Sequence, residues 1–156
     1  MVWIIDILWV LGISVMPGFE GRYAVFYILG KGFLGWEKWV LLLLGFLANF
    51  VIFLVVFLSF GVLGWRGKLL SFIEKRWVRK KEGFERAIKK WGYLGLIIFI
   101  AVPIPGTGVY TGTILSEAIG LDRKRVILCG LLGGLISMVI TYFGFLGVSG
   151  VFKVLS

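Results

Sequence analysis

The sequence predicts an all-α integral membrane protein made of two inverted repeats, each a re-entrant helical hairpin followed by one transmembrane helix, joined by a basic amphipathic interfacial helix. Three observations predict it. The 156 residues are 60% hydrophobic with mean hydropathy +1.01, far from the composition of soluble globular domains. Two unbroken runs of 27 uncharged residues, 39–65 and 126–152, each exceed the ~20 apolar residues that a spanning helix needs. Ahead of each run a Pro-Gly pair, Pro17-Gly18 and then Pro105-Gly106, divides an apolar stretch into pieces too short to cross.

Repeat 1 is residues 1–64. Residues 1–16 are apolar apart from Asp6; they lack the positive leading segment and the small-residue cleavage site of a signal peptide, so they are expected in the mature protein. Only eight residues, 23–30, separate Arg22 from Lys31, which suits a half-helix that turns back. The linker, 65–91, carries Leu69, Ile73, Trp77, Phe84, Ile88 and Trp91 on one helical face, with Lys and Arg over the rest. Glu82 to Arg86 and Glu85 to Lys89 are favourable i,i+4 pairs, and Ser71 to Glu74 has the form of a capping box. Such a helix on the membrane surface would attract anionic lipid. Repeat 2 is residues 92–156, split at Pro103-Ile104-Pro105-Gly106.

Charge placement sets the expected topology. Net charge is +9, yet ten of the 17 basic residues fall between Trp65 and Trp91, and Arg123, Lys124 and Arg125 stand just before the second long run. That distribution follows the positive-inside rule rather than a nucleic-acid footprint, so both connections are expected in the cytoplasm and nucleic acid is not expected as a partner. For both to share a side, residues 92–120 must enter the membrane and return. The same logic in the first half puts both termini outside, in a multi-pass protein of the cell membrane. Two like halves with one net crossing each have opposite orientations. Shifting the second half by 88 positions aligns Trp3 with Trp91, Pro17 with Pro105, Gly18 with Gly106, Gly32 with Gly120 and Gly45 with Gly133.

Few charges fall at membrane depth: Asp6, Glu20, Arg22 and Glu117. Ionisable groups there cost at least a few kcal/mol unless they face a polar cavity or a partner, which makes them functional candidates. Two residues apart on a helix, Glu20 and Arg22 point in different directions, so separate roles are expected rather than a direct pair. At the second break, Pro105, Gly106, Thr107 and Gly108, followed by Thr111, let the backbone leave helical geometry and restart a helix. A half-helix N-terminus inside the membrane presents free N–H groups and a positive dipole end, a seat for an anion. The alternative is a single proline-kinked spanning helix from Trp91 to Ser116. With no histidine in the chain, a carboxylate is the side chain for proton coupling: Glu20 first, Glu117 second.

Two motifs carry a family resemblance. Glu20-Gly21-Arg22-Tyr23-Ala24, with Gly30 and Gly32 beyond, resembles the Glu-x-Arg element of the small multi-drug export proteins. The stretch from Pro103 to Gly112 resembles that family's Pro-Gly-Thr-Gly-aromatic-Thr-Gly element. The family usually has a proline shortly after Glu-x-Arg, where this chain has Phe26. These proteins are similar to the wider DedA group, whose fold is thought to hold two opposed re-entrant hairpins, each followed by a spanning helix. The resemblance implies transport of a drug-like molecule or a lipid phosphate, with Glu20, Arg22 and Pro105 to Thr111 at the substrate site.

Enzymatic function is not expected. Gly106-x-Gly108-x-x-x-Gly112 has no βαβ context, Gly67-Lys68 lacks the rest of a P-loop, and one cysteine without histidine builds neither a metal site nor a catalytic triad. No cofactor is implied. Cys129 is expected to pack inside the last run. Gly130, Gly134, Ser137, Thr141 and Gly144 form a small-residue stripe for close helix packing, within the monomer or across a homodimer. Two classes of function remain: a transporter or flippase for a small amphipathic or anionic substrate, proton-coupled through a carboxylate, and a noncatalytic membrane-organising protein that binds membrane lipids through its basic linker.

Overall fold

The computed structural model describes residues 2–16, 20–33, 35–62, 78–104 and 108–155, with side chains described at all of these except 2, 60–62, 78–81 and 150–155. Among these residues the fold is all-helical, with seven helices: α1 Val2–Val15, α2 Glu20–Gly30, α3 Trp36–Val62, α4 Val78–Trp91, α5 Tyr93–Ala101, α6 Val109–Ile119 and α7 Arg123–Leu155. Local sequence sets the ends. Gly32 and Gly120, both at φ 76, provide the left-handed conformation that stops α2 and α6. Asp122 accepts the Arg125 N–H at 3.2 Å and so N-caps α7.

Two pairs of short helices fold back on themselves. Tyr27 donates to buried Asp6 at 2.7 Å, and Trp3 lies against Phe33, so α1 and α2 are an antiparallel hairpin. In the second pair a methyl at Gly112 would stand 2.8 Å from Ile100 Cγ1. Along one continuous helix those residues would be about 18 Å apart. α5 and α6 therefore lie side by side, and the single kinked spanning helix does not form.

The long helices run antiparallel. Phe57 of α3 sits under Arg123, Phe53 fills the space beside Gly130, Phe46 lies near Gly134, and Lys38 donates to Tyr142 at 3.0 Å. The open end of the first hairpin lies at the start of α3, where Trp3 stacks on Trp36. The open end of the second lies at the start of α7, where Tyr93 accepts the Asp122 N–H at 3.2 Å. The hairpins thus enter the fold from opposite ends, and their breaks meet between the long helices.

Trp36–Ser59 and Arg123–Ser149 are long and apolar enough to cross a membrane, yet only 28% and 33% of their most apolar windows are buried inside the protein. Leu43, Leu47, Val51, Val55 and Leu58 line an exposed face of α3; Leu128, Leu132, Leu135, Val139 and Phe143 do the same on α7. A soluble core helix would bury these faces, whereas hydrocarbon is the solvent they fit. The protein's location is a membrane.

One expectation shifts at α4. Phe84 is fully buried and meets Phe99 edge-on at 5.1 Å, and Gly95 approaches the backbone of Ala87 so closely that a methyl there would be 2.8 Å from its carbonyl carbon. The apolar face of α4 over these residues is covered by α5 instead of lying open at an interface. Arg86 donates to the backbone carbonyl of Glu82 at 3.3 Å. Leu69, Ile73, Trp77 and the capping box Ser71 to Glu74 lie outside the described residues.

Candidate functional site

The site lies where the two breaks meet, and it begins with a backbone exception. Glu20 has φ 58, the only positive value at a non-glycine residue among those described. That conformation costs of order 1–3 kcal/mol and persists only where the surroundings impose it. Its effect is to swing the Glu20 carboxylate out of the helical register of α2. The carboxylate then reaches Arg22 Nη2 at 2.6 Å, with 8% and 7% of the two side chains exposed. The expected separation of these residues is thus overturned: the i,i+2 rule assumes right-handed helical backbone at both residues, and Glu20, the first residue of α2, has a positive φ.

The pair spans the second break. A Cβ placed on Gly108, the N-cap of α6, would overlap both carboxylate oxygens of Glu20. The anionic seat at the start of α6 is therefore occupied by the protein's own carboxylate from the other hairpin. Arg22 Nη1 donates to the carbonyl of Val102, the C-cap of α5, at 3.3 Å. Anion sits at the helix start and cation at the helix end, each matched to the local dipole.

The first break is held in turn from the second half. Tyr110 donates to the carbonyl of Val15 at 3.4 Å, and Asn49 of α3 donates to the carbonyl of Ser14 at 3.1 Å. These are terminal carbonyls of α1 that its own helix cannot satisfy. A small cavity of about 10 Å³, near the size of one water, is lined by Glu20, Arg22, Asn49 and Ser137. Among the described residues Ser14 Oγ and Ser137 Oγ are buried without a hydrogen-bond partner. Beside it, a groove of about 490 Å³ runs from Arg22 between Phe26, Pro103, Ile140, Phe145 and Val148. Phe26 forms part of its wall, and α2 runs unbroken through it.

The sequence-predicted residues divide as follows. Glu20, Arg22 and Gly108 come together. Thr111 is buried in the first turn of α6, while the Thr113 hydroxyl turns back to the Val109 carbonyl at 2.6 Å. Pro105, Gly106 and Thr107 lie outside the described residues. Glu117 lies about 12 Å further along α6 than Val109 and is ion-paired with Arg123 at the start of α7. Asp6 is bound by Tyr27 and by Lys31, at 3.6 Å, near the open end of the first hairpin.

Tyr110 falls inside the Pro105 to Thr111 segment that the resemblance places at the site, whereas Asn49 and Ser137 join the site without a sequence expectation. Asn49 carried a readable signal, a lone amide in a run of 27 uncharged residues, but a search for ionisable groups passes over it. Part of the stripe on α7 packs within the chain: Gly130 receives Phe53 and Gly134 faces Val109, while Gly144 has no neighbour within 4 Å; Gly133, beside the stripe, receives Ile100. Cys129 is buried with its sulfur 3.7 Å from the Tyr93 carbonyl.

The profile of a family described as "Putative small multi-drug export protein" matches residues 20–140, well over half of the chain. The match begins at Glu20 and includes both breaks' polar residues on the α2 and α6 sides. Nothing among curated proteins, and no solved structure, matches the chain.

Proposed function

The chain belongs to the small multi-drug export protein family, and we propose that it is a membrane transporter or flippase that carries a small amphipathic anion, a lipid phosphate or a drug-like molecule, past the junction of its two breaks. One observation carries this reading: a buried Glu20–Arg22 pair bridges the ends of a broken helix at the foot of an apolar groove. An ion pair is a poor stabiliser where it must be stripped of water, so one kept at this depth needs another reason. The groove offers apolar walls to a hydrophobic body and a guanidinium to an anionic head. A substrate anion at Arg22 takes over the place of the Glu20 carboxylate. Glu20, displaced from its cation, is then the carboxylate through which substrate entry would be coupled to proton uptake.

The reading includes alternating access through an inverted duplication, and contacts between corresponding residues support it. Under the shift of 88, Glu20 corresponds to Gly108, Arg22 to Tyr110 and Phe46 to Gly134. Corresponding residues that meet, as Glu20 meets Gly108 and Phe46 meets Gly134, are what a two-fold axis through the junction produces. Arg22 and Tyr110 each reach a carbonyl at the broken end of the opposite hairpin. Rocking one hairpin against the other would open the junction to alternate sides.

The test is flux into liposomes of a fluorescent lipid phosphate, with a cationic dye in parallel. Arg22→Ala should lower anion flux at least tenfold, and Arg22→Lys should restore only part of it, because an ammonium lacks the two-pronged geometry of guanidinium. Normal anion flux in folded Arg22→Ala protein overturns the reading. Arg22-independent flux of the cationic dye alone would place the substrate in the other charge class.

A further inference from the structure

A second hollow lies away from the junction, between α4 and α5. It holds about 400 Å³ and joins two kinds of wall. The α4 wall carries Arg86 and Lys90; the α5 wall carries Ile98 and continues through Val102 to Ile104; Trp91 closes the corner. Ile98, Val102 and Ile104 are 46%, 36% and 55% exposed, and no helix of the described chain covers them. The hollow exists because Gly95 lets the two helices approach at Ala87 while the larger side chains beyond it splay apart.

We infer that this groove is a binding site for one anionic phospholipid, with the phosphate between Arg86 and Lys90 and an acyl chain along the α5 wall. The charge and the apolar surface share one groove, and this argues for an amphiphile over a soluble anion or an acidic peptide. A soluble anion would leave the apolar wall uncovered, and a peptide would have to displace lipid from a membrane-located helix. Arg86 Nε is held by the Glu82 carbonyl and Lys90 Nζ stands 5.3 Å over the Trp91 ring, so both cations are steadied at the groove edge. An aromatic ring beside basic groups is the pattern of a membrane interface. The groove passes Val102, whose carbonyl Arg22 holds, so a bound lipid braces the broken end of α5. This site is independent of what the junction transports.

Binding is measured on the full-length protein in uncharged detergent, by native mass spectrometry with dioleoyl phosphatidylglycerol and dioleoyl phosphatidylcholine. One phosphatidylglycerol should bind tighter than phosphatidylcholine by about 30-fold, the value two interfacial basic residues supply. Arg86→Gln with Lys90→Gln should remove that preference. Ile98→Trp, which fills the groove and leaves every charge in place, should weaken phosphatidylglycerol at least tenfold; Ile104→Trp replaces it if Ile98→Trp is not monodisperse. Lys124→Gln, elsewhere on the basic surface, should change nothing. Equal binding of the two lipids overturns the assignment, as does unchanged binding in the groove-filling variant or loss of binding in Lys124→Gln.

Discussion

Gly108→Ala isolates the contact between the two breaks. Gly108 has φ −93 and ψ −168, extended backbone that alanine adopts without strain, so the substitution acts through its methyl group alone. That methyl would occupy the space of the Glu20 carboxylate, which must then withdraw from Arg22. Both side chains are more than nine-tenths buried, so little solvent is at hand to replace what is lost. Breaking a buried ion pair from one side costs roughly 3–5 kcal/mol, and some rotation of the glutamate end reduces this to about 3 kcal/mol. For a chain of this size that corresponds to a fall of roughly 6–12 °C in Tm, read from thermal unfolding of the detergent-purified protein. The double-mutant cycle decides the cause. In a Glu20→Ala background there is no carboxylate to displace, so Gly108→Ala should add almost nothing to the loss already present. Additive losses from the two substitutions would refute the reasoning, since they would mean that Gly108 is needed for something other than room for Glu20.

Three further outcomes are expected. Glu20→Gln should abolish pH-driven accumulation of substrate in liposomes while leaving passive exchange measurable; unchanged pH dependence in folded protein would remove Glu20 from coupling. Tyr110→Phe, which deletes the hydroxyl that reaches the Val15 carbonyl, should lower stability by about 1 kcal/mol and alter flux in the same direction as Arg22→Ala but more weakly. Single cysteines at Lys89 and Lys124 in a Cys129→Ser background should react with an impermeant reagent from one face of the membrane, and a cysteine at Lys31 from the other; labelling of positions 89 and 124 from opposite faces would end the re-entrant reading of the second hairpin.

Much of the fold is legible in the sequence because membrane solvation permits few solutions. The long apolar runs become α3 and α7, the short helices on either side of each break pack against each other, and Gly32 and Gly120 end α2 and α6 where the alignment pairs them. Periodicity gives the apolar face of α4 but not what lies against it, since Phe84 suits lipid and Phe99 equally well. The junction is partly legible. Glu20 and Arg22 stand out as ionisable residues in an apolar setting, but their pairing depends on one φ angle that residue spacing does not encode. Glu117 stands out for the same reason and is instead tied to Arg123, because six residues and the turn at Gly120 bring the two together. Tyr110 and Asn49 are used for hydrogen bonds across the halves, which requires knowing that the halves oppose each other.

The occupied helix start at Gly108 changes what a transport site at this position would have to do. An open N-terminus would bind any anion of suitable size, and a leak would follow. Here the Glu20 carboxylate lies against Gly108 and is paired with Arg22, so an anion would gain entry only by displacing it. Selectivity is then a difference between two anions competing for the same donors rather than an absolute affinity. The proposed exchange would also free Val102 from Arg22 as the guanidinium turns to the substrate, and would loosen the second hairpin at its break. The Tyr110 bond to Val15 ties the first hairpin to the same junction, so loosening one break disturbs the hold on the other. A substrate that cannot displace Glu20 leaves both breaks latched, and on this account the ion pair is the lock that makes passage depend on an anion strong enough to open it.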